Sequence, residues 1–311
     1  MAEITASMVK ELRERTQAGM SDCKNALVEA TGDMDKAIEI IMKKGLLKGQ
    51  AKAGRVASEG EVRTAVDADG RRGVIVEVNC QTDFVARGDA FRDFVGKVIE
   101  VARKAKPGAD LTAEKFPGTD NTVDTERLAM VGKTGENTVI RRWAVLEAKG
   151  ANGVVHSYIH MGGKLAVVLN AEAPTEAARK DPDFTAFIEN CAMQIAAMRP
   201  IVVAKEQVDP AQIAKQKEIF EGQLREEKKP EAAWPKIIDG KVQKWFTEVT
   251  LLGQDNVWDP GKGTIDKLRQ ELGKKLGGEV KLHEFVRFEL GEGIEKKSDD
   301  LAAEVAKMTG A

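Results

Sequence analysis

Gly60-Glu61-Val62-Arg63-Thr64-Ala65-Val66, followed after a Gly-bearing turn by Val74-Ile75-Val76-Glu77-Val78-Asn79, decides the fold because the chain repeats it. Gly153-Val154-Val155-His156-Ser157-Tyr158-Ile159 resembles the first run, and Leu165-Ala166-Val167-Val168-Leu169-Asn170 resembles the second. Apolar residues alternate, as in a strand with one buried face. Beyond each pair the spacing becomes helical: Phe91, Phe94, Val95 and Ile99 align with Phe184, Phe187, Ile188 and Ala192. Each copy reads as a β-hairpin followed by packing helices. Strands first and helices after predict an α+β fold with antiparallel strands, not a doubly wound sheet.

Between the first hairpin and its helix lies Glu77-Val-Asn-Cys80-Gln-Thr82-Asp83-Phe84-Val85-Ala-Arg87. Thr82, Asp83 and Phe84 fall on a strand-to-helix connection, where a rigid scaffold can present side chains to a partner. The plainer reading is that Thr82 or Asp83 caps the next helix and Phe84 staples it to the core. After Asn170 the second copy carries Ala171-Glu172-Ala173-Pro174-Thr175, with no match to Thr82-Asp83-Phe84. The scaffold therefore does not require an aromatic beside an acid at this point.

Outward from the duplication, residues 1–45 read as three short amphipathic helices with faces Met8, Val9, Leu12; Cys23, Ala26, Leu27, Ala30; and Met34, Ala37, Ile38, Ile41. Thr5, Ser21 and Asp33 are candidate caps, and Gly19, Gly32 and Gly45 mark the breaks. Lys48–Glu59 reads as a linker, giving a helical module with linker over 1–55, a first core unit over 56–150 and a second beginning at 151–207. Residues 106–123, polar with Pro and Gly, read as a variable insertion.

From Asp209 to Val249 two helical seams follow, Ile213, Phe220, Leu224 and then Ile238, Val242, Trp245, Val249, joined through Lys228-Lys229-Pro230. They form either an antiparallel coiled coil over 208–250 or an ordinary pair of packed helices. Residues 251–311 complete the second core unit, with a strand over Val280–Leu290 and a closing helix over Ser298–Met308.

The chain has 311 residues, long enough for two or three domains. Its 48 basic and 50 acidic residues nearly balance, which argues against a partner held by phosphate contacts such as nucleic acid. No apolar run approaches the ~20 residues that span a bilayer, and the N-terminus does not read as a secretion signal. Three distant cysteines, Cys23, Cys80 and Cys191, fit buried reduced thiols in the cytoplasm. There is no Gly-rich phosphate loop, Cys-x-x-Cys or His-Glu-x-x-His. His156 and His160 lie on a strand, roughly 13 Å apart, too far to share a metal. Neither a catalytic site nor a metal nor a cofactor is expected, although a thiol enzyme built on Cys80 stands as a distant alternative.

Three ordered motifs carry a resemblance over nearly the whole chain. They are Leu12-Arg13-Glu14-Arg15-Thr16 with Ala18-Gly19-Met20 and Asp22-Cys23-Lys24; Glu77 to Arg87; and Phe288-Glu289-Leu290-Gly291-Glu292-Gly293-Ile294-Glu295-Lys296. By these the chain resembles the bacterial translation elongation factor Ts family. The resemblance implies a guanine-nucleotide exchange factor for the GTPase elongation factor Tu. It also implies a ubiquitin-associated-like N-terminal module, a duplicated core and a protruding coiled coil. Thr82, Asp83, Phe84 and Val85 would contact the partner's nucleotide domain and dislodge its Mg²⁺, with Phe84 as wedge and Asp83 as polar companion. Arg13 and Met20 in the first module and His160 in the second core copy would add contacts. A scaffold of the same fold without exchange activity is the alternative. Pro235 falls where relatives continue a helix, and Asp255-Asn256-Val257-Trp258 departs from the commoner Pro-Phe form.

Overall fold

The computed structural model describes residues 4–16, 18–52 and 54–295. Three helices come first: α1 (Ala6–Thr16), α2 (Met20–Glu29) and α3 (Met34–Lys52). The first core copy holds β1 (Glu59–Val66), β2 (Arg72–Cys80), α4 (Asp83–Arg87), α5 (Asp89–Lys104), α6 (Val123–Thr134) and β3 (Thr138–Glu147). The second holds β4 (Gly153–His160), β5 (Leu165–Glu172), α7 (Glu176–Arg179), α8 (Pro182–Met198), then the hairpin α9 (Pro210–Glu226) and α10 (Trp234–Val249), then α11 (Ile265–Leu276) and β6 (Lys281–Glu289). The fold is α+β, with two antiparallel sheets ordered β1-β2-β3 and β4-β5-β6.

Alternation along the two central strands explains the layering. In β2, Val74, Val76 and Val78 face α5, packing with Phe91, Phe94, Val95 and Val98. In β5, Val167, Leu169 and Ala171 meet Phe184, Ile188 and Ile195 of α8. The intervening residues turn the other way, and Val62, Ile75, Leu146, Val155, Ala166, Val168 and Phe288 form a cluster between the sheets. The order is helices, sheet, sheet, helices. Gly73 lies at the closest approach: a Cβ there would stand 2.4 Å from Val155 Cγ1.

The duplication is regular in space and shifts one sequence reading. Gly60 matches Gly153 and Phe91 matches Phe184 at a constant offset of 93, but Val74 then pairs with Val167, not Leu165. The irregular step in each central strand confirms this offset, falling after Glu77 in one and after Asn170 in the other. A slip of two leaves every side chain on its face, so alternation alone cannot detect it. Each sheet also gains a third strand. β6 lies where its sequence predicts, whereas β3 shows little alternation and is found only in the structure.

Helix α3 does not end at Gly45 but continues to Lys52, through the first part of the expected linker. The glycine serves a crossing instead: a Cβ on Gly132 of α6 would lie 2.7 Å from Gly45 Cα, so the two backbones touch. The three N-terminal helices keep a cluster of their own, including Val9, Leu12, Cys23, Leu27 and Ala37. Thr5 and Asp33 accept from the amides of Met8 and Lys36, as expected of caps. Ser21 does not cap; the helix starts two residues earlier than such a cap would place it, at Met20 after Gly19.

Residues 106–123 contribute to the first core, where Leu111, Phe116 and Val123 are buried and Phe116 stacks on Phe94 at 5.6 Å. In the hairpin, Leu224, Ile238 and Val242 form a separate small cluster with Phe220 and Phe246 beside it. Phe246, rather than the expected Trp245, completes that seam. Pro235 sits in the first turn of α10, where its missing N–H has no helical partner to lose. The closing helix expected over Ser298–Met308, and Lys296 of the last motif, lie outside the described residues.

Candidate functional site

Strand β2 ends at Cys80, and two residues later the chain enters α4, a helix of five residues. So short a helix has little hydrogen bonding of its own, and its position is set by what holds its first turn. Thr82 caps it, accepting from Val85 N at 3.4 Å. Thr82 in turn donates from its backbone N and its Oγ1 to the Glu136 carboxylate, at 3.0 and 2.7 Å. Asn137 N donates to Gln81 Oε1 at 2.8 Å, and Cys80 Sγ to Thr82 O at 3.2 Å. On the inner side Ala86 is buried in the first core with Val85 packed against it.

Phe84 points the other way. It is 83% exposed, the most exposed large apolar side chain among the described residues. Thr82 is a cap, but Phe84 is no staple. Asp83 pairs with Arg87 at 2.9 Å on the same exposed turn.

The offset of 93 places Thr175, Glu176 and Ala177 on Thr82, Asp83 and Phe84, which the strand comparison two residues out of step had hidden. Thr175 caps α7 just as Thr82 caps α4, accepting from Ala178 N at 3.1 Å. Cap and acid are therefore shared by both copies. Only the aromatic is particular to the first.

The other expected contact residues are exposed and separate from Phe84 in sequence. Arg13 lies on α1, and Met20, 49% exposed, opens α2. His160 ends β4, its Nδ1 within 2.9 Å of the Tyr158 hydroxyl, and Met161 beside it is 74% exposed. The β4–β5 turn meets β1 near the end that carries α4, because Gly163 O accepts from Val62 N at 2.8 Å and Glu59 pairs with Cys80. Phe84 and His160 thus occupy the same end of the double sheet.

No group of three or more His, Cys, Asp or Glu among the described residues is arranged to hold a metal ion. Cys80 is buried, and burial, with Glu136 and Glu59 nearby, pushes its thiol up to about 12. That removes the thiolate a nucleophile needs. Glu136 escaped the sequence reading: it lies 54 residues from Thr82, in a turn that no period or spacing marks.

The site therefore presents an exposed aromatic, Phe84, on a turn braced by Glu136. The family model described as elongation factor TS matches residues 81–292, more than half of the chain. The chain belongs to the elongation factor Ts family. A protein named elongation factor Ts from Clostridium perfringens (strain SM101 / Type A) is 45% identical over 309 residues, 99% of each chain. Another of that name from Symbiobacterium thermophilum is 45% identical over 311 residues, covering 100% of this chain and 99% of its own. A third, from Syntrophotalea carbinolica, is also 45% identical, over 310 residues. Membership places the chain among translation elongation factors. The elongation factor TS match contains Thr82–Val85 and His160, while Arg13 and Met20 fall only within the full-length likeness. Among the described residues no helix is long and apolar enough to cross a membrane.

Proposed function

We propose that this chain is a guanine-nucleotide exchange factor that binds elongation factor Tu carrying GDP and promotes release of the nucleotide. The observation that carries the reading is Phe84: exposed, braced through Thr82 and Glu136, and replaced by Ala177 where the other copy has the same turn. A tightly bound GDP is held by phosphate contacts and by Mg²⁺, the largest local charge in such a site. Releasing it needs no acid or base from the factor. It needs contacts that favour a GTPase conformation with a damaged phosphate and Mg²⁺ site, and Phe84 inserted between partner helices supplies one, with Thr82, Asp83 and Val85 around it. The coupling is reciprocal, so nucleotide weakens factor binding by the same ratio as factor weakens nucleotide binding.

In this reading Arg13 and Met20 on the three-helix module, which we take as ubiquitin-associated-like, grip the same partner domain. His160 and Met161 hold another, and the α9–α10 hairpin acts as a coiled-coil arm. The factor works in the cytoplasm, where translation takes place, and needs no nucleic acid or membrane contact. The deciding experiment follows labelled GDP leaving the cognate elongation factor Tu in the presence of substoichiometric factor. Stimulated, multiple-turnover release supports the reading. Stoichiometric binding with no faster release would replace it with a scaffold.

A further inference from the structure

The turn Gly135-Glu136-Asn137 between α6 and β3 holds two elements at once. On one side it receives the end of α3: Lys52 Nζ donates to Gly135 O at 2.6 Å and Asn137 Nδ2 to Arg55 O at 2.7 Å. Upstream of that, α3 and α6 touch backbone to backbone at Gly45 and Gly132. On the other side the turn holds the start of α4, through Glu136 to Thr82 and Asn137 to Gln81. An αL glycine, Gly135 with φ +76°, makes the sharp helix exit that aims Glu136 at Thr82.

From this we infer that Glu136 is the positioning residue for Phe84, an inference that rests on the exchange reading above. Phe84 is 83% exposed, so little packing directs its side chain, and its aim follows from the placement of the α4 backbone. One carboxylate fixes that placement by accepting both the amide and the hydroxyl of Thr82, two charge-assisted bonds in a bidentate fork. Because the same turn is tied to α3, Phe84 is held at a set position relative to the N-terminal module. Glu136 itself need not touch the partner.

Glu136→Gln in the full-length chain tests this, since it keeps the shape but presents an amide NH₂ where Thr82 also donates. The measurements are GDP release from elongation factor Tu at saturating factor, affinity for elongation factor Tu·GDP, and the urea midpoint. Each is made on Glu136→Gln, Phe84→Ala and the double variant. Release at saturation is expected to fall roughly tenfold with Glu136→Gln, as for loss of one hydrogen bond to a charged group. Affinity is expected to stay within about threefold, because the remaining contacts are untouched. In the Phe84→Ala background Glu136→Gln is expected to cost nothing further, since the residue it positions is gone. Thr82→Val, which keeps the amide bond to Glu136 but deletes the hydroxyl bond and with it the cap on Val85 N, should show the same dependence on Phe84 if Glu136→Gln folds poorly. Multiplying losses in the double variant, or full release by Glu136→Gln, overturns the inference. Normal release by Phe84→Ala overturns the wedge role of Phe84 and the inference with it, whereas a parent chain that binds without speeding release overturns the exchange reading instead.

Discussion

Val62 and Val155 make the same hydrogen bond in opposite directions across the molecule: Val62 N donates to Gly163 O and Val155 N to Gly70 O, each at 2.8 Å. Each donor and each acceptor is related to its counterpart by the offset of 93, so the two core copies face one another through a pseudo-twofold axis. The turn of each hairpin rests on the first strand of the other copy, and the sheets close on a shared apolar layer. Such reciprocity is the mark of an isologous interface. It also explains why α4 and α7, alike in build, stand at opposite ends of the double sheet, so that the exposed aromatic of α4 marks one end alone.

The interface between the copies holds a buried charge, and its stability is expected to depend on pH. Glu77, 0% exposed, is met by Arg141 and Arg142 at 3.0 and 2.5 Å and by Gly291 N at 2.8 Å. Burial alone would raise its carboxyl, but the Gly291 amide and the two guanidinium groups outweigh it and hold the group below its usual value of 4.5. A depressed carboxylate stabilises the fold above its unfolded value and loses that contribution as pH falls through the folded one. Glu77→Gln should cost about 3–5 kcal/mol at neutral pH by removing the one buried carboxylate that Arg141, Arg142 and the Gly291 amide share. The gap between parent and variant urea midpoints should narrow as pH drops below 4.5. A gap that stays constant down to pH ~3 would show that the carboxylate charge is not what matters.

Helix crossing at Gly45 and Gly132 predicts a second, separable effect. Gly132→Leu forces a side chain into backbone that lies within 3.0 Å of even a Cβ. Overpacking of this kind costs typically ~1–3 kcal/mol, and here it should displace α3, not the sheets. Limited proteolysis near residues 52–58 should accelerate while hydrogen exchange in β2 and β5 stays slow. Affinity for elongation factor Tu should fall, because the N-terminal module is no longer held in place. Loss of protection in β2 as well would mean that α3 is part of the core's folding unit.

How far the fold could be read beforehand follows from the kind of signal each element carries. Alternation in Gly60–Val66 and spacing in Phe91–Ile99 are local and were sufficient for both hairpins and their helices. Gly45 was misread because a glycine that ends a helix and one that lets two helices touch look alike until the partner, Gly132, is known. Trp245 and Phe246 are adjacent apolar residues on α10, and only the neighbouring helix decides which faces inward. At the site, the sequence narrowed the cap to Thr82 or Asp83 and left Phe84 open between a core staple and an exposed group; the structure decides for Thr82 and for exposure. Glu136 was not legible, since its role is a contact across 54 residues with no periodic trace.

For the helical hairpin, local and global stability should come apart. Leu224 is fully buried, yet its cluster with Ile238 and Val242 is separate from the clusters on either sheet. Leu224→Ala should cost roughly 2–5 kcal/mol within that cluster. Amides of α9 and α10 should then exchange faster, while those of β2 and β5 keep their protection. If the whole chain melts earlier by the same amount, the hairpin is integral to the core.

Phe84→Ala should impair GDP release far more than it impairs folding. The physical ground is the equivalence with Ala177: the same capped turn, with the same acid at its first position, exists in this chain without the aromatic. A side chain 83% exposed has little burial to lose, so truncation should change stability within about 0.5 kcal/mol. A core staple would instead cost roughly 3–5 kcal/mol. Ala177→Phe, the reverse change on α7, should be equally neutral for folding and give no gain in release, because that turn stands at the other end of the double sheet. As a wedge favouring the nucleotide-releasing state, Phe84 is expected to carry about 1–3 kcal/mol of coupling, or roughly 5- to 150-fold in relative nucleotide affinity. Asp83→Asn should act in the same direction but less, since the pair it makes with Arg87 is exposed and such pairs contribute little. Urea midpoints and GDP release rates over a Mg²⁺ series separate these outcomes. A large loss of stability with normal release from the folded fraction would return Phe84 to the core and remove it from the site.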